Sequence, residues 1–332
     1  MSDFTLNRYE VVLANQYFLR ELVERITLED SLDEIAYRAS VRLVVTDDFQ
    51  QIGIAPGQEI RVSGVPFGGS GMVYLLHPGM VWQCDSETRG QKHINVTVYD
   101  RTIYLAKSED EYLFPAGQTS TQRLERYASD WGLELGQVAD TGVALAKAVY
   151  RARPIYSMIM ADLKETAVKG GDMYRPRMTP DGLGLVKLGS NETVWALEAE
   201  RNVEEIRQRR SLEGAVTQVK VLGNAPVEER SPVLALVTGE TDRYGTLQKV
   251  HSDPKLTDAG AARSAGEKKL CGMQETITVA GLDINTIRAG DKVKLNNIDL
   301  LVNSVRHELG APGRMTLELA GEEYVRRRYY SD

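Results

Sequence analysis

The side chains best suited to acid–base or metal chemistry in this sequence are its four histidines, His77, His93, His251 and His307. No two of them stand at a spacing that would bring both to one zinc ion from a helix or a strand. His93 and His307 lie in strand-like stretches. Each of these two is therefore predicted to be a hydrogen-bonded histidine of a β-barrel strand and not a catalytic group.

Glycines and paired carboxylates offer two further kinds of site. Gly68-Gly69-Ser70-Gly71 has the glycine content of a phosphate loop, but it lacks the lysine and the following helix that such a loop needs, so it is predicted to be a turn. Asp162 with Glu165, or Glu204 with Glu205, could act as acid and base in sugar cleavage, although such pairs are usually solvated surface charge. We therefore expect no catalytic, cofactor-binding or metal-binding residue, and no enzyme.

The two cysteines also indicate no site. Cys84 and Cys271 lie far apart in the sequence, which fits neither a metal-binding spacing nor a disulfide framework. They are predicted to be two buried, reduced thiols.

Length and composition set the class of protein. A chain of 332 residues has room for about two to three domains, and 42% hydrophobic with 26% charged residues is typical of a folded globular protein. Met1-Ser2-Asp3-Phe4 does not begin a targeting segment, and no apolar run is long enough to span a bilayer, so synthesis in the cytoplasm is expected. The net charge of −7 argues against a dedicated nucleic-acid binder.

An internal repeat is the main organising feature of the chain. Three stretches of a first copy match three stretches of a second in the same order, at offsets that grow from 180 to 233 residues. The matching sets are Val23, Glu24, Ile26, Ser31 and Leu32, then 55–62, then 95–98; and Val203, Glu204, Ile206, Ser211 and Leu212, then 288–295, then 314–317. The order predicts a duplicated domain, with about fifty extra residues inside the second copy.

The local patterns divide the chain into three parts. Residues 1–110 show apolar residues at every second position between Gly- and Pro-rich turns, which predicts a small barrel or sandwich. Residues 111–195 change to helical spacing: Thr119 with Gln122 forms a capping box, a second helix begins near Pro154, and a hairpin turns at 179–182.

The third part, residues 196–332, is predicted to repeat the first domain with an inserted segment at 224–273. Within that segment we expect two strands at 233–238 and 246–251 and a helix from Asp258 to about Leu270, and after it four more strands. The tail, Arg326-Arg327-Arg328-Tyr329-Tyr330, is predicted to be a solvated terminus, with docking to a partner as the alternative.

This order of parts resembles the XkdQ-type baseplate hub proteins of contractile-tailed phages, which belong with the late control protein D group of tail hubs. The stretches that carry the resemblance cover nearly the whole chain: 26–32, 120–142, 156–163, 211–223, 244–248 and 287–291. They include Trp131-Gly132-Leu133 and Ile287-Arg288-Ala289-Gly290-Asp291.

The resemblance implies a mainly β fold, in which two similar tube-type β-barrel domains flank a small α+β domain. It implies a homotrimer whose six barrels form a pseudo-hexameric ring between the tail tube protein and the spike protein, with wedge proteins outside, a possible tape measure contact and DNA passing through. The implied location is the virion. The face of the ring is expected from 41–45 with 60–62 and from 216–221 with 293–295.

The net charge bears on the passage of DNA, and the sequence also leaves an alternative function open. Three chains at −7 give the trimer a charge of about −21, which would let DNA slide along the pore wall without binding it. The alternative function is a cell-wall module, because a small helix-bearing middle domain can resemble a peptidoglycan-binding LysM-like fold.

Overall fold

The structure is a computed structural model that describes residues 8–46, 52–199, 201–224, 228–253 and 256–331. Met1-Ser2-Asp3-Phe4, on which the expectation about targeting rests, lies outside these residues. The described chain divides into two compact units, residues 1–207 with 277–332 and residues 208–276. Each unit is described by itself.

The first unit is built on a long sheet whose N-terminal half contains seven strands. Apolar residues alternate along these strands, as in β4, where Ala39, Val41 and Leu43 are buried and the residues between them are partly exposed. The strands are β1 (Tyr9–Leu13), β2 (Tyr17–Phe18), β3 (Val23–Ser31), β4 (Arg38–Val44), β5 (Glu59–Gly64), β6 (Val73–Arg89) and β7 (Gln91–Asp100).

The C-terminal half of the sheet comes from strands that lie after residue 194. They are β13 (Trp195–Leu197), β14 (Val203–Ser211), β18 (Gln274–Leu282), β19 (Lys292–Leu295), β20 (Ile298–Leu309) and β21 (Arg314–Ala320). The boundaries between the two units fall within β14 and β18.

The two halves pair their strands in the same order. The N-terminal half runs β1-β5-β6-β7-β4-β3, and the C-terminal half runs β13-β19-β20-β21-β18-β14. All three repeats found in the sequence fall on corresponding strands: β3 with β14, β5 with β19 and β7 with β21. One difference is direction, because β1 is antiparallel to β5 whereas β13 is parallel to β19.

The halves meet where β3 pairs antiparallel with β20. Ser31 lies opposite Ser304 and Ile26 lies opposite Leu309, so the hydrogen bonds continue from one half of the sheet into the other. Within the described strands the pairing forms an open path from β14 to β2 and closes no barrel. The expected mainly β fold is confirmed, whereas two closed barrels are not seen, because the end strands of the path do not pair with each other.

Between the two halves of the sheet lies a mixed α and β region. It contains helices α1 (Ile103–Lys107), α2 (Ser120–Asp130) and α3 (Ile155–Val168), and strands β8 (Glu109–Phe114), β9 (Leu135–Val138), β10 (Ala148–Pro154), β11 (Tyr174–Thr179) and β12 (Gly182–Lys187). The predicted capping box at Thr119 and Gln122, the helix start after Pro154 and the hairpin are all confirmed.

The C-terminal tail is a helix, α6 (Glu322–Tyr330), that packs against this region. Tyr330 is 2% exposed, and its hydroxyl donates to the Tyr174 carbonyl oxygen at 2.6 Å. Arg328 pairs with Asp33 at 3.1 Å. The prediction of a solvated terminus was wrong, because the two tyrosines bury their rings in the protein's own core.

The second unit, residues 208–276, has a separate small core. Strand β15 (Gln218–Leu222) lies between β16 (Val233–Thr238) and β17 (Gln248–Ser252), and a short helix, α4 (Thr241–Tyr244), precedes β17. Helix α5 (Ala259–Glu267) packs on β15 and β16 through Val219, Val221 and Ala262. The predicted strands and helix of the inserted segment are present. However, residues 216–221, expected in the second copy of the main sheet, belong to this unit; the corresponding strand there is β18.

Candidate functional site

A cluster of buried charges holds three parts of the first unit together, and we call it the charged junction. It consists of Asp30 on β3, Arg175 and Arg177 on β11, and Arg288 and Asp291 in the turn before β19. β3 lies in the N-terminal half of the sheet, β11 in the mixed region and the turn in the C-terminal half. The junction therefore connects all three.

Asp30 is the centre of the charged junction. Its Oδ1 accepts from Arg175 Nη2 at 3.0 Å, and its Oδ2 accepts from Arg288 Nε at 2.6 Å and from the Ala289 amide at 3.2 Å. Burial alone would raise the pKa of this carboxyl, but the two facing guanidinium groups hold it below its ordinary value. Asp30 is therefore ionised at neutral pH although no water reaches it.

The second layer of the junction fixes the turn itself. Arg177 donates to Asp291 Oδ1 at 2.9 Å and to the Ala289 carbonyl oxygen at 2.8 Å, while Asp291 Oδ2 accepts from the Arg288 amide at 2.8 Å. Gly290 has φ +86°, a left-handed conformation that suits glycine. This polar turn is one of the stretches on which the resemblance rests.

An aromatic ring and a third carboxyl complete the junction. The Arg288 guanidinium carbon lies 3.6 Å from the centre of the Tyr37 ring, a cation–π contact. Asp100 accepts from the Tyr37 amide at 3.0 Å and from the Thr102 amide at 2.9 Å. Burial raises the pKa of Asp100 to about 6 despite these hydrogen bonds. Of these carboxyls, Asp30 thus has a lowered pKa and Asp100 a pKa raised to about 6.

Two cavities adjoin the charged junction. One, of about 420 Å³, is lined by Arg177, Asp291, Asn191, Phe67 and Trp195, among others, and the last two rings meet edge to face at 5.6 Å. The other, of about 190 Å³, lies on the other side of Arg177, next to Arg288 and Asp100. Arg177 pairs with Asp291 beside the first cavity, and Arg288 pairs with Asp30 beside the second, so these charges hold chain segments of the protein together.

A second buried ion pair stabilises the mixed region. Asp162 Oδ1 accepts from Arg123 Nη1 at 2.5 Å and from the Tyr150 hydroxyl at 2.7 Å, and burial raises the pKa of this carboxyl. Glu165 instead lies at the surface and pairs with Lys169 at 2.7 Å. The interpretation of Asp162 as solvated charge was wrong. Its position on α3 faces the core, where Arg123 of α2 meets it.

The histidines occupy separate places in the structure. His307, on β20, is fully buried with Nδ1 2.6 Å from Asp283 Oδ1 and Nε2 2.8 Å from the Ile287 carbonyl oxygen, so both nitrogens are engaged. His93, on β7, lies 3.2 Å from Glu24. Both are hydrogen-bonded strand histidines, as predicted.

The two remaining histidines do not join either of these. His77 stacks on Tyr74 with ring centres 4.5 Å apart, and burial lowers its pKa. His251 lies on β17 in the second unit. Across the described ranges no group of three or more His, Cys, Asp or Glu is placed to hold a metal ion.

The other candidates behave as surface or turn residues. Residues 68–71 form an exposed turn between β5 and β6. Glu204 and Glu205 are exposed on β14, where they pair with Arg314 and Arg207. Both cysteines are free thiols, Cys84 on β6 and Cys271 just before β18, and both are partly exposed instead of buried as predicted.

Sequence reasoning missed the charged junction because its members are far apart in the chain. Asp30 and Arg288 are separated by 258 positions, and neither lies in a motif with a known spacing. The alternation of Arg175 and Arg177 in a hairpin was a usable signal, since it places two positive charges on one face of a strand.

Comparison with known proteins identifies relatives over most of the chain. A family model described as YQBQ-like matches residues 26–320. Two proteins of Bacillus subtilis (strain 168) are each 27% identical to this chain. The match to the uncharacterised protein YqbQ covers 55% of this chain and 52% of YqbQ. The match to the phage-like element PBSX protein XkdQ covers 49% of this chain and 50% of XkdQ. The chain thus spans about half the length of the curated relatives it matches.

A solved structure shares the fold over nearly its full length. The 43 kDa tail protein of prophage MuSo2 from Shewanella oneidensis superposes with a TM-score of 0.69 at 13% identity, covering 96% of this chain and 99% of that one. At that identity the likeness concerns the fold. In the described chain, no helix is both long enough and apolar enough to cross a membrane.

Proposed function

Because the chain belongs to the YQBQ-like family, we propose that it is a structural protein of a phage tail baseplate or of a phage-tail-like particle. Its relative XkdQ is named for a phage-like element, and the Shewanella protein that shares its fold is named a tail protein. The proposed location is the virion, after synthesis in the host cytoplasm.

The specific role we propose is that of the hub. Three copies form a ring that joins the tail tube protein to the spike protein, with wedge proteins and the tape measure protein as further partners. The observation that carries this proposal is the shared pairing order of the two halves of the sheet. A threefold ring of such chains presents six similar sheets, and that number matches a sixfold tube above and a threefold spike below.

The proposal includes the domain organisation and the absence of a catalytic role. Residues 1–110 and 196–332 act as two equivalent tube-type domains around a middle domain of 111–195, and each closes its barrel only within the ring. No catalytic, cofactor or metal residue is needed for this work. The charge of about −21 on three chains would let DNA pass without adhering.

The test is the native mass of the purified protein together with end-on electron-microscope projections. A species of three times the 36.9 kDa chain mass with an open centre and six similar lobes is the expected result. The protein is then mixed with the spike protein of its own particle. A chain that stays monomeric in that mixture and binds purified peptidoglycan saturably would overturn the hub in favour of a cell-wall module.

A further inference from the structure

Several strands of the sheet have an edge with no partner in the described chain, among them β2 and β13, and two of these edges, on β14 and β6, have counterparts that pair with each other. Strand β14 ends the pairing path, with β18 on one side only. The far part of β6, residues 82–86, pairs with β7 but not with β5, because the backbone hydrogen bonds on that side end at Val81, which bonds to Gly57 and Gln58. An exposed strand edge is a row of unpaired backbone donors and acceptors that is able to pair with another chain.

The two edges correspond to strands that already pair with each other inside the chain. By the shared pairing order, β14 is the counterpart of β3 and β6 is the counterpart of β20. The pairing of β3 with β20 joins the two halves of the sheet. The positions that pair on β3 and β20 correspond to the positions without a partner on β14 and β6. Of the two equivalent strand pairs, β3 with β20 is therefore formed within one chain, whereas β14 with β6 is not.

We infer that β14 of one copy of this chain pairs antiparallel with residues 82–86 of β6 in the next copy. The inference rests on the proposed ring, and it specifies the interface that builds it. Three junctions of β3 with β20 and three of β14 with β6 then alternate around the assembly. The partner of each free edge is a second copy of this chain. Every chain has both edges, and they are the counterparts of β3 and β20, two strands that pair with each other.

The register follows from the internal junction. Leu28 lies opposite His307, and His307 lies opposite Met315. The counterpart of Leu28 on β14 is Gln208, at the offset of 180 residues. The counterpart of His307 on β6 is Cys84, because Cys84 lies opposite Val96, which the repeat aligns with Met315.

Extending that register by one and two positions gives the neighbouring pairs. Asp85 comes to lie opposite Arg207, and Ser86 opposite Ile206. The carboxylate and the guanidinium are on the same face of the paired strands, within reach of each other. The complementary charges favour this register over one shifted by a single residue, which would turn every side chain to the other face.

Burial gives an independent argument for the same pairing. Ile26, which is covered by the junction within the chain, is 1% exposed, whereas its counterpart Ile206 is 39% exposed. Leu28 is fully buried and its counterpart Gln208 is exposed. The second edge therefore has the exposure expected of an interface that has not yet formed, with polar residues that keep a free copy soluble.

A disulfide tests the register directly. In a chain carrying Cys271→Ser, the Gln208→Cys variant should form a bond with the native Cys84 of a neighbouring copy under mild oxidation, since cross-strand Cα atoms lie within disulfide reach. The matched control is Arg207→Cys, whose side chain is on the opposite face of β14 and should not react. Adding Cys84→Ser to the first variant should abolish the bond.

The products on a non-reducing gel, read with the native mass, separate the interface from the ring. A closed covalent trimer supports both the strand pairing and the threefold ring. A ladder that continues beyond three chains supports the strand pairing but contradicts the threefold ring. A native trimer in which Gln208→Cys does not react overturns the pairing while leaving the ring, and a monomer that does not react at the highest concentration measured overturns the pairing as well.

A charge exchange provides a second readout. Arg207→Glu should shift the native mass toward the monomer because it places a carboxylate opposite Asp85. Adding Asp85→Arg should restore the oligomer. Equal behaviour of the single and double variants would contradict the predicted opposition of these two residues.

Discussion

Asp30 is stable as a buried anion because two guanidinium groups and a backbone amide face it. A charge without exposure to water is tolerated only when its partners satisfy it, and removing one partner leaves the others uncompensated. At the scale of single residues this junction is therefore sensitive to the loss of any one partner. It is also where the N-terminal half of the sheet, the hairpin strand β11 and the turn before β19 are held together.

The Asp30→Asn variant should lower the free energy of unfolding by about 3 to 5 kcal/mol, because Arg175 and Arg288 lose the buried charge that compensates them. Urea unfolding followed by circular dichroism measures this difference. Glu24→Gln is the matched control, since Glu24 pairs with Arg42 at the partly exposed surface and such a pair contributes about 0 to 1 kcal/mol. Equal losses in the two variants would contradict the special role of Asp30.

Two carboxyls of the junction should respond to pH in opposite directions. The pKa of Asp30 is lowered by folding, so its stabilising contribution is present above the ordinary value of 3.8 and is lost as the pH falls. The pKa of Asp100 is raised by folding to about 6, so its contribution is complete below 3.8 and is lost as the pH rises through 6.

Between pH 4 and pH 7 the wild-type protein should therefore lose stability through Asp100, by an amount on the order of 2 kcal/mol. Asp100→Asn is expected to remove that slope, although the variant is less stable throughout because Asn offers one acceptor oxygen in place of two. Unfolding curves at several pH values compare the two slopes. A variant with the wild-type slope would show that another group titrates in this range.

At the scale of elements, burial explains why local patterns were successful in some places and not in others. The capping box, the hairpin and the strands depend on neighbours within a few residues, so the sequence predicts them well. The basic and aromatic tail has no such local determinant. Its helix is fixed by Tyr329 and Tyr330 entering a core built from distant residues.

The tail yields a prediction that separates packing from charge. Tyr330→Ala should lower the free energy of unfolding by about 3 to 5 kcal/mol, because it removes a buried ring and its hydrogen bond to the Tyr174 carbonyl. Glu323→Ala, on the same helix and with a side chain that is 94% exposed, should change it by less than about 0.5 kcal/mol, as is usual for surface positions. Thermal unfolding of both variants provides the comparison. A small effect of Tyr330→Ala would mean that α6 is not needed for the core.

At the scale of the whole molecule, the two halves of the sheet differ mainly in what connects their second and third corresponding strands. Residues 32–37 connect β3 to β4, whereas residues 212–273 connect β14 to β18 and contain most of the second unit. The second unit has its own core of Val219, Val221 and Ala262. A chain can lengthen such a connection at small entropic cost.

Replacing residues 212–273 with the sequence of 32–37 should therefore leave the first unit folded. We expect cooperative thermal unfolding and the same number of chains per particle as in the full-length protein, which is measured in parallel. Loss of the cooperative transition would show that the second unit is required for folding. Retained folding with fewer chains per particle would instead assign the second unit a part in assembly.

The sequence by itself determined the local elements and, through repeated residues at growing offsets, the existence of two corresponding sets of strands. Both follow from short-range chemistry: alternation, caps, turns and direct similarity between segments. Only the tertiary structure decided that residues 216–221 lie outside the main sheet, that Asp162 is buried and that Asp30 is held by Arg175 and Arg288. These outcomes depend on residues brought together from outside the local pattern, 39 positions apart for Asp162 with Arg123 and 258 for Asp30 with Arg288, and a linear pattern contains no record of which distant charge will compensate a buried one.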